Sequence, residues 1–470
     1  MIYYLYIILL YLLVLLGLNM WRAKKVKTQE DFMVAGRQLS PTVMVFTLIC
    51  TWIGSGSFIA GAEFAFKSGW SALWLPAGAW FGILIIYFIS GRIRKFGQYT
   101  IGDILEARYN KWARLFGSIA VIISFTAIVS YQFRAGGYVL NIVTDGRLSV
   151  GTGQLLTAIF VILFTALAGM IAVAYTDLSN GIIIVLATII AVPFLLSFVG
   201  GWSALPDKLP PEHFALINTQ FGERPLLKAL GYFLSTFLLL LGVQSMYQKF
   251  YSARDAKAAK QSALMWIVGV VIVETAVVAL AVFGRAAFPS LERPDAVIIH
   301  AAVYGLPMVV GVLLLAAACA VVVSTGNNYL LSPTTTVMRD IYQRFINPQA
   351  TQRRMVILSK VVVLVLGVVA FVLAMYLTSV LDMAFFAYTI YGVAITPALI
   401  GAFLWKRANT AGALTSIISG TVVALLLKNF GEPYGIPLIF PALAVSLGSF
   451  ILVSLLTTPP KPEQLKPFVD

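Results

Sequence analysis

Cys50-Thr-Trp-Ile-Gly54-Ser-Gly56-Ser-Phe58 is the stretch that decides the fold, because it places two glycines and two serines inside an apolar run. The surrounding residues, 43–66, are long and apolar enough to cross a bilayer as a helix. Glycine and serine lower helix stability in the middle of such a run. Irregular backbone is tolerated at that depth only where it lines a cavity inside the protein. The stretch therefore predicts a broken membrane helix with a functional cavity at the break.

The rest of the chain has the composition of a membrane protein. Of its 470 residues, 60% are hydrophobic and only 11% are charged, whereas a soluble domain carries roughly a quarter charged residues. No sustained alternation of the kind that marks barrel strands is present. The predicted fold class is therefore an all-α polytopic membrane protein that contacts the lipid bilayer through one domain, 1–470. Hydropathy predicts about 13 spans, numbered here in chain order: 2–20, 43–66, 70–91, 113–141, 151–173, 177–200, 229–250, 263–285, 305–336, 356–377, 383–405, 410–428 and 437–457.

The net charge of +14 reflects orientation in the membrane rather than nucleic-acid binding. The basic residues lie in short tracts between apolar runs, on alternate connections, and such tracts mark the cytoplasmic side. We therefore expect a multi-pass plasma-membrane protein with its N-terminus outside and its C-terminus, 457–470, in the cytoplasm. The first apolar run lacks the basic start and small-residue cleavage site of a signal peptide, so it is expected to remain as span 1.

Spans 7 and 9 carry two further polar features at depth. Gln244 follows a glycine in span 7, and it either binds a ligand or ties span 7 to a neighbouring helix. The adjacent hydroxyls of Ser324 and Thr325 in span 9 are two oxygen ligands for a small cation, which carbonyls from an unwound span 2 would complete. The alternative is that both hydroxyls bond to their own helix.

Ionisable residues inside spans are costly and are functional candidates for that reason. Asp177 is predicted at the start of span 6, where its carboxylate would cap the helix. Arg134, near the outer end of span 4, is predicted to pair with Glu63. Glu274 lies in the middle of span 8 with no evident partner, and it is expected to bind a polar network or a proton.

Four stretches in order carry a family resemblance: Asp31-Phe-Met-Val-Ala-Gly-Arg37, Ala174-Tyr-Thr-Asp177, Gln244-Ser-Met-Tyr-Gln248-Lys249, and Ser324-Thr325 followed by Arg339-Asp340-Ile-Tyr342. With these stretches the chain resembles the sodium/solute symporter family, which includes proline, galactose, sialic acid and choline transporters. Thr51-Trp52-Ile-Gly54 and Gly431-Glu-Pro-Tyr434 look most like the choline branch. Val243 and Ile128, however, stand where that branch has tryptophans, and a quaternary ammonium needs several aromatic faces.

The resemblance implies the LeuT-type fold, with two inverted five-helix repeats at 43–200 and 229–405 and peripheral helices at 2–20 and 410–457. It also implies a sodium site between spans 2 and 9. The ligands would be the carbonyls of Cys50, Ile53 and Val321 and the hydroxyls of Ser324 and Thr325. Asp177 would serve sodium release or a second sodium site.

The predicted function is a sodium-coupled secondary active symporter that imports a small organic solute by alternating access, as a monomeric unit and not as an enzyme. The alternatives are a proton-coupled or uncoupled transporter of the same fold, or a membrane sensor. The short tail after Leu456, with no kinase or receiver domain, argues against a sensor. The residues expected to contact the solute are Trp52, Ser55, Ser57, Phe81, Gln132 and Gln244.

Overall fold

The computed structural model describes residues 2–24, 26–376, 379–430 and 433–468, and this part of the chain is mostly helical. Twelve of its helical segments are long and apolar enough to cross a membrane. They occupy the predicted spans 1 and 3 to 13: Ile2–Ala23, Trp74–Phe96, Lys111–Val143, Val150–Phe198 (spans 5 and 6), Pro225–Gly242 with Gln244–Ser252 (span 7), Ala256–Ala287, Met308–Thr336, Gln352–Met375, Val380–Leu404, Thr410–Phe430 and Ile439–Leu456.

Span 2 is divided, as its glycines and serines predicted. It consists of Pro41–Trp52, a π-helical turn Gly56–Gly61 and a short helix Ala62–Ser68. The first helix ends because Ile53 has extended backbone angles, φ −78° and ψ 93°. Span 7 is interrupted in the same way at Val243, with φ −65° and ψ 113°. Both interruptions leave backbone carbonyls without helical partners in the interior of the bundle.

The boundary between spans 5 and 6 differs from the prediction. The two spans follow each other within Val150–Phe198, and the chain turns at Gly169, with φ 55° and ψ −150°. A side chain at Gly169 would begin 2.7 Å from the backbone oxygen of Phe32, so only glycine fits there. Asp177 consequently lies inside span 6 and does not begin it. Local hydropathy missed this turn because its cause is a contact with a distant segment.

Span 9 is the central helix of the bundle. In its most apolar window 78% of the residues are buried, against 17% for span 1 and 22% for span 10. Spans 4, 8 and 11 are also mostly buried, at 72%, 67% and 72%. Because these helices surround the breaks in spans 2 and 7, the irregular backbone faces protein and not lipid.

A short helix, Ile101–Arg108, lies in the connection between spans 3 and 4. Thr100 and Asp103 form a capping box at its start. The helix ends at Arg108, and Asn110 then accepts hydrogen bonds from the first backbone N–H groups of the next helix and so begins span 4. The choline-like stretch Gly431–Tyr434 falls partly outside the described residues, since 431 and 432 are not among them.

Candidate functional site

The break in span 2 brings its backbone against span 9. A side-chain carbon at Gly54 would lie 2.6 Å from the Thr325 methyl carbon, so glycine is what permits this close approach. The hydroxyl of Thr325 lies 3.0 Å from the carbonyl oxygen of Cys50 and 3.3 Å from that of Ile53. The Ser324 hydroxyl lies 3.4 Å from the Val321 carbonyl oxygen.

Five of the six predicted sodium ligands therefore lie in two groups of oxygens: one joins Thr325 to the carbonyls of Cys50 and Ile53, and the other joins Ser324 to the carbonyl of Val321. Ser324 is fully buried and Thr325 is 2% exposed. The oxygens are neutral hydroxyls and carbonyls, the hard ligands that an alkali cation accepts. No group of three or more His, Cys, Asp or Glu side chains with metal-binding geometry occurs within the described residues. The donor set thus fits sodium better than a transition metal.

Asp177, the sixth predicted ligand, lies in an adjoining buried network. Its Oδ2 atom accepts hydrogen bonds from Thr47 (2.6 Å) and Asn328 (3.0 Å), and the Lys249 ammonium lies 3.9 Å away. Asn328 also donates to the backbone oxygen of Ser324, at 2.9 Å. The carboxylate is therefore connected through one amide side chain to the backbone of span 9 at Ser324. The sequence drew attention to Lys249 only through the stretch that resembles the family. A lysine at the end of an apolar run is nevertheless a candidate functional residue in its own right.

A narrow cavity adjoins the oxygen cluster at the same break. The space in it that is open to the centre of a water molecule is about 30 Å³, which is room for one or two waters. A solute therefore needs the cavity to widen. Its polar and aromatic lining consists of Trp52, Ser57, Tyr131, Gln132, Thr236, Glu274, Thr325, Tyr329 and Tyr388.

Glu274 is the one carboxylate in that lining. It is 4% exposed. Its Oε1 atom accepts hydrogen bonds from the Trp52 indole and the Ser57 hydroxyl, both at 3.0 Å. Its Oε2 atom accepts one from the Trp80 indole at 2.9 Å. The sequence identified Glu274 as an unexplained charge, and the structure supplies its partners from spans 2 and 3.

The remaining predicted solute residues fall in three different places. Ser55 donates from its hydroxyl and its backbone N–H to the Gln132 side-chain oxygen, at 2.5 and 3.1 Å, and Gln132 lines the cavity. Gln244 donates to Ser332 and Thr336, so it ties span 7 to span 9 and does not line the cavity.

Phe81 lies outside the cavity. Its side chain is 56% exposed, packs on the ring of Phe233 and faces the lipid side of span 3. The neighbouring Trp80, one residue earlier on the helix, is the aromatic side chain that reaches Glu274. The prediction had the right turn of span 3 but the wrong face, because hydropathy alone does not orient a helix that is apolar on all sides.

The predicted ion pair between Arg134 and Glu63 is wrong. Arg134 donates to the Tyr138 hydroxyl one helical turn away, at 2.8 Å. Glu63 pairs with Lys67 at 2.5 Å, also within its own helix. Each charge finds a local partner on the exposed end of its span, which removes the need for a contact between the two helices.

Sequence reasoning missed an ion-pair cluster at the predicted cytoplasmic end of the bundle. Arg114 lies 2.6 Å from Asp340 and 2.8 Å from both Asp103 and Glu106. Arg344 completes the cluster at 2.7 Å from Glu106. Burial raises the pKa of Glu106, but hydrogen bonds from Arg344 and Arg114 outweigh this and hold the pKa below its usual range. The cluster fastens span 4 and the helix Ile101–Arg108 to the end of span 9.

Comparison with known proteins assigns the chain to a family. The model of the sodium:solute symporter family matches residues 32–420. The sodium/pantothenate symporter of Escherichia coli (strain K12) is 28% identical over 470 residues, covering 94% of this chain and 94% of that protein. The osmoregulated proline transporter OpuE of Bacillus subtilis (strain 168) is 25% identical, covering 96% of this chain and 94% of that protein.

The fold is shared with solved transporters. A substrate-bound, outward-open Na⁺-coupled sialic acid symporter aligns with a TM-score of 0.84 at 18% identity, over 97% of this chain and 98% of that chain. Mhp1, a nucleobase-cation-symport-1 family transporter, aligns with a TM-score of 0.61 at 13% identity, over 93% of this chain and 97% of that chain. These matches confirm the predicted LeuT-type fold, and the relatives are transporters and not enzymes. The chain belongs to the sodium:solute symporter family and is a multi-pass membrane protein that couples the movement of a small solute to sodium.

Proposed function

We propose that this symporter imports its solute with a sodium ion bound where span 2 breaks against span 9. The observation that carries the proposal is the Thr325 hydroxyl, which lies 3.0 and 3.3 Å from the carbonyl oxygens of Cys50 and Ile53. Ser324 and the Val321 carbonyl supply two more oxygens from the same helix. A sodium ion among them would bind span 2 to span 9 more strongly than the hydroxyl's hydrogen bonds do.

Asp177 is proposed to act next to this site and not as one of its direct ligands. Its Oδ2 atom is occupied by Thr47 and Asn328. Its Oδ1 atom is buried and accepts no hydrogen bond within the described residues. This oxygen is therefore proposed to bind a sodium ion that has left the Ser324–Thr325 pair on its way to the cytoplasm.

Coupling of ion to solute follows from shared residues. Trp52, Gly54 and Thr325 belong to the proposed sodium site or its break, and all three line the solute cavity. An ion that fixes their positions changes the affinity of the cavity, and by linkage the solute changes the affinity for the ion by the same factor. Transport then requires that both bind one access state more tightly than the other.

The direction of transport rests on orientation and on the repeats. The N-terminus is proposed to lie outside and the C-terminus in the cytoplasm, because the basic tracts mark one side of the bundle. The two inverted repeats are proposed at 43–200 and 229–405. The interruption of the first helix in each, at Ile53 and at Val243, supports this division. The two interruptions would then be equivalent positions of the repeats.

The solute is a small organic molecule, and its site is proposed at the break in span 2. Relatives of the chain are named as transporters of proline and pantothenate, which sets the expected size. The residues proposed to contact the solute are Trp52, Ser57 and Gln132, with Ser55 positioning Gln132. Gln244 is proposed to hold the break in span 7 and not to touch the solute.

The test measures sodium-dependent thermal stability of the purified protein, which needs no knowledge of the solute. Ion binding raises the melting temperature by mass action, so NaCl should stabilise the wild type relative to KCl at equal ionic strength. Ser324→Ala/Thr325→Ala should abolish the difference. The matched control is Thr334→Ala/Thr335→Ala, a second buried pair in span 9 whose hydroxyls, among the described residues, bond to the carbonyls of their own helix. Full sodium dependence in the Ser324/Thr325 double variant would refute the site.

A further inference from the structure

We infer that the solute carries a protonated amine and that Glu274 is its counter-ion. The inference rests on the proposed function and specifies the solute's chemistry. Glu274 lines the cavity beside Trp52 and Ser57. It projects from span 8 to the break in span 2, so a group bound to it contacts the part of the protein that is proposed to respond to sodium.

Glu274 lacks a positively charged partner among the described residues. Its three hydrogen-bond donors, Trp52, Trp80 and Ser57, are all neutral. A buried carboxylate is costly unless it is paired, coordinated or neutralised. The three donors favour the carboxylate form over the protonated acid, but none of them supplies the missing charge. We therefore expect a cation from outside the polypeptide, and not a proton, to balance the charge.

The carboxylate retains the capacity to bind such a cation. Two carboxylate oxygens offer about four acceptor positions, of which the indoles and the hydroxyl use three. An amine N–H reaching Glu274 through the cavity would occupy the fourth as a charge-assisted bond. Such bonds are about twice as strong as neutral ones.

The other cavity walls favour an ammonium group and offer little to an anion. Tyr131 and Tyr388 line the cavity with Trp52, and aromatic rings attract cations over their faces. The lining within the described residues contains no lysine, arginine or histidine. A carboxylate on the solute would find only uncharged partners there, such as the Ser57 hydroxyl and the Gln132 amide N–H, which has no hydrogen-bond partner among the described residues.

A sodium ion at Glu274 is the weaker reading of the same geometry. Sodium needs about five or six oxygen ligands. The atoms around the carboxylate are mostly indole N–H donors, which present hydrogen and not lone pairs. Ser57 is the one neighbouring hydroxyl bonded to it. The Thr325 cluster, with its carbonyls, is the better sodium site of the two.

The experiment compares small compounds that share a five-membered ring and differ in the charged or polar group that the ring carries. Thermal stability of the purified full chain is measured in NaCl with pyrrolidine, L-proline, cyclopentanecarboxylate, cyclopentanol and N,N-dimethylpyrrolidinium. Stabilisation is expected with pyrrolidine or L-proline and not with the carboxylate or the alcohol. If pyrrolidine stabilises the protein and L-proline does not, the solute is a cationic amine. If L-proline stabilises it and pyrrolidine does not, the solute is a zwitterion. Stabilisation by the quaternary compound alone would contradict the required N–H bond.

The variant Glu274→Gln keeps the size of the side chain and removes its charge. It should weaken binding of the best amine roughly tenfold or more, which is the effect of losing a charge-assisted hydrogen bond. Stabilisation by sodium should stay unchanged, and this would show that the variant is folded. Glu63→Gln is the matched control and should bind the amine as the wild type does. Glu274→Asp should retain part of the affinity.

Three further outcomes would overturn the assignment. These are stabilisation by the carboxylate or alcohol alone, unchanged amine binding in Glu274→Gln, and no shift with any amine in a protein that sodium does stabilise. Each of these leaves the sodium site intact. Failure of the sodium site would instead appear as a missing NaCl effect in the wild type, so the two proposals fail separately.

Discussion

At the residue scale, the proposed ion site depends on Gly54, whose missing side chain lets spans 2 and 9 touch. Replacing it with alanine would place a carbon 2.6 Å from the Thr325 methyl carbon and 2.9 Å from the Thr325 hydroxyl oxygen. Because the hydroxyl must move away from the Cys50 and Ile53 carbonyls, we expect Gly54→Ala to raise the sodium concentration for half-maximal stabilisation roughly tenfold, the effect of losing about 1.4 kcal/mol. A titration of melting temperature with NaCl measures this.

Gly448 provides the control for that substitution. It lies in span 13, and a side chain there would meet nothing within 4 Å. Alanine favours helix over glycine by up to about 1 kcal/mol, so Gly448→Ala should be neutral or slightly stabilising with an unaltered sodium response. If the melting temperature of Gly54→Ala responds to NaCl as that of the wild type does, the close contact between spans 2 and 9 is not needed for sodium binding.

The buried pair of Asp177 and Lys249 allows a second prediction at this scale. Both side chains are almost fully buried, and they lie 3.9 Å apart. Removing one partner leaves an uncompensated charge, which costs about 3–5 kcal/mol at a buried site. We therefore expect Asp177→Asn and Lys249→Met each to lower the melting temperature, and the double variant to be more stable than the sum of the two losses predicts. Additive losses would mean that the two charges do not interact.

The residues of the proposed ion site have local signals in the sequence, whereas the hydrogen-bond partners of Glu274 do not. Ser324 and Thr325 are adjacent hydroxyls in an apolar helix, and the glycines of span 2 mark a break, so each half of the site has a local signal. Trp52 and Trp80 meet Glu274 only because spans 2, 3 and 8 pack together. Nothing in the local sequence of Trp80 distinguishes it from Phe81, its neighbour on the lipid-facing side.

At the element scale, breaks caused by composition were predictable and breaks caused by contacts were not. Gly54 and Gly242 lie among polar residues in apolar runs, and the helices end beside them, at Trp52 and Gly242. Gly169 stands in an ordinary apolar run, and it turns the chain because Phe32 occupies the space where a side chain would be. The ion-pair cluster of Arg114 is of the second kind, since Asp340 reaches it from the end of span 9.

At the scale of the whole molecule, burial varies across the bundle, whereas charge varies along the helices. Burial increases from the peripheral spans to span 9, and it places the polar breaks at the centre of the bundle. Hydropathy could therefore place the spans, and the uneven distribution of basic residues between the two ends of the helices predicts which connections lie in the cytoplasm. The three-dimensional structure was needed to show that span 9 is central and to identify the residues that pack against the breaks.

The last prediction concerns the proposed orientation. External sodium can drive uptake only if the chain lies in the membrane with its basic connections in the cytoplasm. The connection between spans 3 and 4 is expected in the cytoplasm, since it and the adjoining helix ends carry Arg92, Arg94, Lys95, Arg108, Lys111 and Arg114. Green fluorescent protein fused to the C-terminus should therefore fluoresce. Alkaline phosphatase, active only after export, should be active when fused after Leu216 and inactive when fused after Asn347. The opposite pattern would place the basic connections outside and would reverse the direction in which a sodium gradient drives the solute.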